Sequence, residues 1–117
     1  MQAALVIDAQ KLKAHGAAKG FAKLTAAKSV EIWGTGTPRR EFLHVDDCAD
    51  ACAFLLQNYD APDIVNIGVG DDMTIRSFAE TMAQVIGWSG EFVYDRSKPD
   101  GTPRKLVNTT RINGLEW

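Results

Sequence analysis

The sequence predicts a mixed α/β fold built on a partial sheet. Short β-branched or apolar runs alternate with segments of helical period, the pattern of α/β organisation. One segment, Ile75–Ile86, keeps that period closely: Ile75, Phe78, Ala79, Met82, Ala83 and Ile86 share a face. Thr74 can cap its start and Gly87 can stop it. The strands are too few for a complete doubly wound sheet.

The elements follow in order. Residues 2–28 are rich in Ala and Lys, which favours helix. Leu5, Ala9, Leu12, Phe21 and Leu24 can form an apolar stripe there, interrupted by Gly16 and Gly20, so two short helices or one with a joint near His15 are expected. Val30–Trp33 reads as a strand and 40–45 as a second extended run. Side chains alternate along such a run, so Arg39 and Arg40 should point to opposite sides, one toward a ligand and the other toward water. Asp46 or Asp47 is expected to cap a helix reaching Asn58, with Val45, Cys48, Ala49, Cys52, Leu55 and Leu56 as its core face. A turn at Ala61-Pro62-Asp63 leads to a short strand over 64–67, and 91–94 reads as another strand. The polar segment from Ser97 to Lys105 cannot be held by apolar burial. It is expected to be a mobile loop, or one ordered by anionic partners through Lys98, Arg104 and Lys105. A last helix begins near Thr110.

Bulk properties exclude several functions. The 117 residues suit one domain, and 45% hydrophobic with 24% charged residues is an ordinary globular balance. A net charge of −2 and a pI of 5.6 give no basic field for nucleic acid. No run approaches bilayer-spanning length, so no membrane partner is expected. The apolar patch at 3–7 is cut by Asp8 and lacks a charged flank, so it does not read as a signal peptide. Cys48 and Cys52 lie four apart on one helix, which suits buried thiols in a cytoplasmic protein.

The chemistry-bearing residues cluster around Trp33. A large aromatic, the turn Gly34-Thr35-Gly36 and two guanidinium groups suit an aromatic ring joined to phosphates, while Arg beside Trp also serves simple cation–π packing. Gly34-Thr35-Gly36 and Gly68-Val69-Gly70 are read as turn glycines. The first is followed by Pro38 instead of a helix, and the second lacks the third glycine of a dinucleotide turn. His44, Cys48 and Cys52 recur every four residues, but an extended His44 and the want of a fourth ligand argue against a metal. Tyr94 and Lys98 are separated from any common helix by Pro99, so no activated hydroxyl is expected.

The run from Trp33 through Arg39-Arg40-Glu41-Phe42-Leu43-His44-Val45 to Asp47 resembles the GDP-L-fucose synthase family. These are NADP-dependent epimerase/reductases of the extended short-chain dehydrogenase/reductase superfamily. The likeness continues through Val65-Asn66-Ile67-Gly68, Thr74-Ile75-Arg76 and the long motif from Ser97 to Leu106. It covers Lys28 to Trp117, and a helical segment 1–27 stands outside it. The resemblance implies that 28–117 is the substrate-binding lobe of the family's C-terminal part, truncated at its end. It implies that Trp33, Arg40 and Lys105 lie at a GDP-sugar, with Asp100 a further carry-over, and it makes Arg40 the ligand-facing arginine. The family's glycine-rich cofactor turn, its Ser and its Tyr-x-x-x-Lys pair have no counterpart here. Cys48, Cys52 and His44 do not fall at its catalytic Cys and His. The resemblance thus implies NADP for the full-length family and no catalytic, cofactor-binding or metal-binding residue in this chain. The expectation is binding of a GDP-sugar or another nucleotide diphosphate without turnover. Apolar helix surface left without the main sheet favours a homo-oligomer, and a self-associating module that has lost its ligand is the alternative.

Overall fold

The computed structural model describes residues 26–117. The N-terminal helical expectation, with its stripe of Leu5, Ala9, Leu12, Phe21 and Leu24 and with His15, lies outside the described residues. The chain divides into two compact units. One comprises Arg39–Met73 and Arg104–Trp117; among the described residues the other comprises 26–38 and Thr74–Pro103.

In the unit containing 26–38, strand β1 (Ser29–Trp33) pairs in parallel with β4 (Glu91–Asp95), from Ser29 opposite Glu91 to Trp33 opposite Asp95. Parallel strands need a long connection, and helix α2 (Ile75–Ile86) lies between them in sequence. Alternation along β1 shelters Val30 and Ile32 and leaves Glu31 and Trp33 exposed. Trp88 is buried, its ring centroid 5.0 Å from that of Phe92 and its Nε1 donating to the Ala27 carbonyl at 2.7 Å. Helix α2 has the boundaries read from its period. Thr74 Oγ1 accepts from the Ser77 N–H at 3.0 Å, and Gly87 closes the helix in the left-handed conformation at φ 70°. Its apolar face is sheltered as expected, with Ala83 buried.

The other unit contains β2 (Arg39–Arg40) and β5 (Arg104–Lys105), which pair in parallel; β3 (Met73–Thr74), crossing the unit boundary, completes the sheet order β3-β2-β5. Helix α1 (Val45–Asn58) and the short α3 (Thr110–Gly114) belong here, with Ala51 and Ile112 fully buried.

Five expectations for this unit need correction. The extended run 40–45 ends early, because Val45 already opens α1. The cap is His44 and not Asp46 or Asp47: its Nδ1 accepts from the Asp46 N–H at 3.2 Å, and both aspartates sit in the first turn, where they suit the helix dipole. The buried face of α1 is rotated from the expected one. Ala51 is buried, while Val45 (72%) and Leu56 (87%) are exposed together with Ala49 and Cys52. Apolar residues occur on more than one side of this helix, so its sequence does not select a single face. Residues 64–67 form no strand. Ile64 is 86% exposed, and side chains satisfy this backbone instead: Arg111 Nη1 donates to the Ile64 carbonyl at 2.5 Å. The thiols are free, with Cys48 half-buried and Cys52 exposed, so the expected pair of buried thiols is not formed.

Candidate functional site

The β2–β5 ladder aligns four cations. Arg39 stands opposite Arg104, and Arg40 opposite Lys105. Like charges directly opposite one another repel, so each row needs a counter-charge or a reason to lack one. The first row has Asp72, whose carboxylate is fully buried. Arg39 donates from Nε to Asp72 Oδ1 and from Nη2 to the Asp72 carbonyl, both at 2.6 Å, while Arg104 Nε donates to Oδ2 at 2.5 Å. The bonded Arg104 guanidinium holds the Asp72 carboxyl below its ordinary value; burial pushes the other way, and Arg39 adds to the lowering. Asp72 in turn raises Arg104 above the usual arginine value. Arg39, the arginine expected to face water, is therefore the ion-paired one. Within the polar segment ending in β5, Arg104 is held by the chain's own Asp72 carboxylate.

Side chains alternate along both strands, so the second row, Arg40 and Lys105, projects from the opposite face. Arg40 Nη1 donates to the Arg39 carbonyl at 2.7 Å. Among the described residues no carboxylate forms an ion pair with either side chain. Two of the four site residues expected from sequence are thus register neighbours.

The other two, Trp33 and Asp100, belong to the other unit. Trp33 is 66% exposed at the end of β1, its Nε1 donating to Glu31 Oε1 at 3.0 Å. Lys98 Nζ stands 5.4 Å from the centroid of its ring, a cation–π contact that sequence reasoning missed. Asp100 is engaged by the turn that follows Trp33. Its Oδ1 accepts from the Thr35 N–H at 2.6 Å and its Oδ2 from Thr35 Oγ1 at 2.8 Å. Gly34 has φ 79°, and a Cβ there would collide with the Asp100 carboxylate.

Neither glycine turn fits a cofactor pyrophosphate. The Thr35 N–H is consumed by Asp100, and the Gly70 N–H by Glu41 Oε1 at 2.6 Å, so a carboxylate already sits where a phosphate oxygen would. Gly36 leads to Pro38 and β2 instead of a helix. His44 lies in the extended cap and not on the helical face carrying Cys48 and Cys52. Sequence reasoning also missed Asp72 and Glu41. The available signal was charge: a single carboxylate needed to offset two paired arginines, and a glutamate next to that pair.

The chain belongs to the NAD dependent epimerase/dehydratase family, which it matches over residues 8–68. That match begins inside the segment 1–27, which the motifs had left outside the resemblance. Its relatives include synthases and reductases of GDP-sugars. It is 52% identical over 96 residues to GDP-L-fucose synthase 1 of Arabidopsis thaliana, covering 82% of this chain and 30% of that protein. It is 42% identical over 112 residues to GDP-L-fucose synthase of Sinorhizobium fredii, covering 96% and 34%. A solved GDP-6-OMe-4-keto-L-xylo-heptose reductase from C. jejuni aligns with TM-score 0.72 at 33% identity, over 93% of this chain and 39% of that one. The chain thus spans about a third of the length of these proteins. The mixed α/β fold with small partial sheets is the one it shares with such GDP-sugar enzymes. No described helix is long and apolar enough to cross a membrane.

Proposed function

We propose that this chain is the GDP-sugar-binding lobe, residues 28–117, of an NADP-dependent epimerase/reductase of the GDP-L-fucose synthase kind, and that it binds the nucleotide diphosphate without turning it over. The observation that carries this reading is the cation pair of Arg40 and Lys105, side by side in the ladder and without an acidic partner among the described residues. A diphosphate offers matching negative charge, and a guanidinium beside an ammonium suits it better than either alone. Trp33 supplies an exposed indole that can stack on a base, with Lys98 over its ring, and Asp100 is a further substrate-binding candidate. Asp100 has a second duty in holding the turn at Thr35, so its loss affects structure as well as binding. In the whole enzyme NADP supplies the hydride; the turns described above offer no cradle for it here. A cytoplasmic location belongs to the same proposal.

Titration with GDP, followed by tryptophan fluorescence, tests the reading. Quenching that saturates, that weakens in Arg40→Ala and that disappears in Trp33→Phe is the expected result. A response unchanged in Arg40→Ala rejects it, and equal responses to GDP, UDP and dTDP remove the guanine preference. One observation favours the rival, a self-associating module without ligand: Val45, Ala49, Cys52 and Leu56 form an exposed stripe along α1. That reading expects a melting temperature that rises with protein concentration and ignores nucleotide.

A further inference from the structure

We propose that Asp72 is a positioning residue for diphosphate binding: by tying Arg39 to Arg104 on one face of the β2–β5 ladder, it sets Arg40 and Lys105 side by side on the other. The inference rests on the reading of Arg40 and Lys105 as the diphosphate-binding pair. Two-residue strands make a ladder too short to hold itself. Both rows would repel if left alone, because each sets cation against cation. Asp72 removes that repulsion from one row with a fully buried carboxylate whose two oxygens each take one arginine, and its carbonyl takes Arg39 a second time. Register is thereby fixed at Arg39 opposite Arg104. The next pair follows covalently, so Arg40 and Lys105 are held together although neither is ion-paired among the described residues.

The sign of the effect separates this role from a simple charge effect. Asp72 is an anion near an anion site, so electrostatics alone makes its removal tighten GDP binding. Positioning makes its removal weaken binding. Isothermal titration calorimetry of the full chain with GDP, and with inorganic pyrophosphate, decides between them in wild type, Asp72→Asn and Arg40→Ala, with circular dichroism to check that helix content is kept. The expected result is a loss of about tenfold for both anions in Asp72→Asn, the lower end of what removing a residue that orients metal ligands costs in metal affinity. Unchanged or tighter binding overturns the inference. If Asp72→Asn does not fold, Arg104→Gln replaces it: the Arg39–Asp72 pair stays while β5 loses its tie. The same loss is expected, and retained affinity overturns the proposal. Loss in Arg40→Ala with no loss in Asp72→Asn sinks the positioning role alone. GDP binding that is absent in wild type or unaffected in Arg40→Ala takes the underlying reading down with it.

Discussion

Replacing Gly34 by Ala tests how the turn beside Trp33 is held. Gly34 has φ 79°, where an alanine costs about 1–2 kcal/mol, offset by roughly 0.5 kcal/mol from the stiffer unfolded chain. The new Cβ also collides with the Asp100 carboxylate and must displace it from Thr35. Two hydrogen bonds to that carboxylate, at 2.6 and 2.8 Å, are then strained or lost. Both are exposed, so water replaces part of each, and their joint loss costs about 1 kcal/mol. The sum is roughly 2 kcal/mol, which lowers the melting temperature by about 8–10 °C for a chain of this size. Thermal unfolding followed by circular dichroism at one fixed protein concentration measures it. The collision adds a second expectation. Asp100→Ala removes the obstacle, so the double variant should lose about 1 kcal/mol less than the sum of the singles. Strict additivity, or a fall below about 2 °C in Gly34→Ala, refutes the account of the turn.

Two other predictions concern local devices. Thr74→Ala removes the oxygen that caps α2 through Ser77 and should cost about 1 kcal/mol, whereas Thr74→Ser should keep most of it; melting temperatures compare them directly. Asp72 sets an acid limit. Its folded value lies below its ordinary 3.8, so its contribution is complete above about pH 4 and is lost as pH falls through the folded value. A plot of melting temperature against pH should fall steeply below about pH 4 in the wild type and less steeply in Asp72→Asn; parallel curves would remove Asp72 from the acid response.

Legibility from sequence followed the range of the interactions involved. Helix α2 was readable end to end because its determinants are local: a threonine cap, a periodic face and a glycine stop. Strands β1 and β4 were nearly so, their alternation being visible within five residues each. Residues 64–67 have the composition of a strand yet form none, because a strand needs a neighbour and sequence does not name one. The cap of α1 was misplaced by two or three residues, since three of the four residues from His44 to Asp47, all but Val45, can accept from a helix N–H. The polar segment before Lys105 had the least legible internal partners. Its order depends on Asp72, 32 residues away from Arg104, and on Asp100 reaching back 65 residues to Thr35. The alternation rule did separate Arg39 from Arg40, but it could not say that Arg39 had a buried carboxylate for a partner instead of water.

That last point changes how the cation pair is understood. A pair of cations on a two-residue ladder, one half-buried and one exposed, is ordinarily a weak feature, since long side chains lose entropy when held together and gain little in water. Here the cost of alignment is met on the reverse side, by a carboxylate that has no contact with solvent and needs both arginines to remain charged there. Breaking the register would strand that charge, so the ladder resists the repulsion between Arg40 and Lys105 although no carboxylate among the described residues is ion-paired to either. The alignment of Arg40 with Lys105 is therefore a consequence of the ion pairs on the other face of the ladder, and an anion that bridges the two relieves a repulsion those ion pairs leave standing.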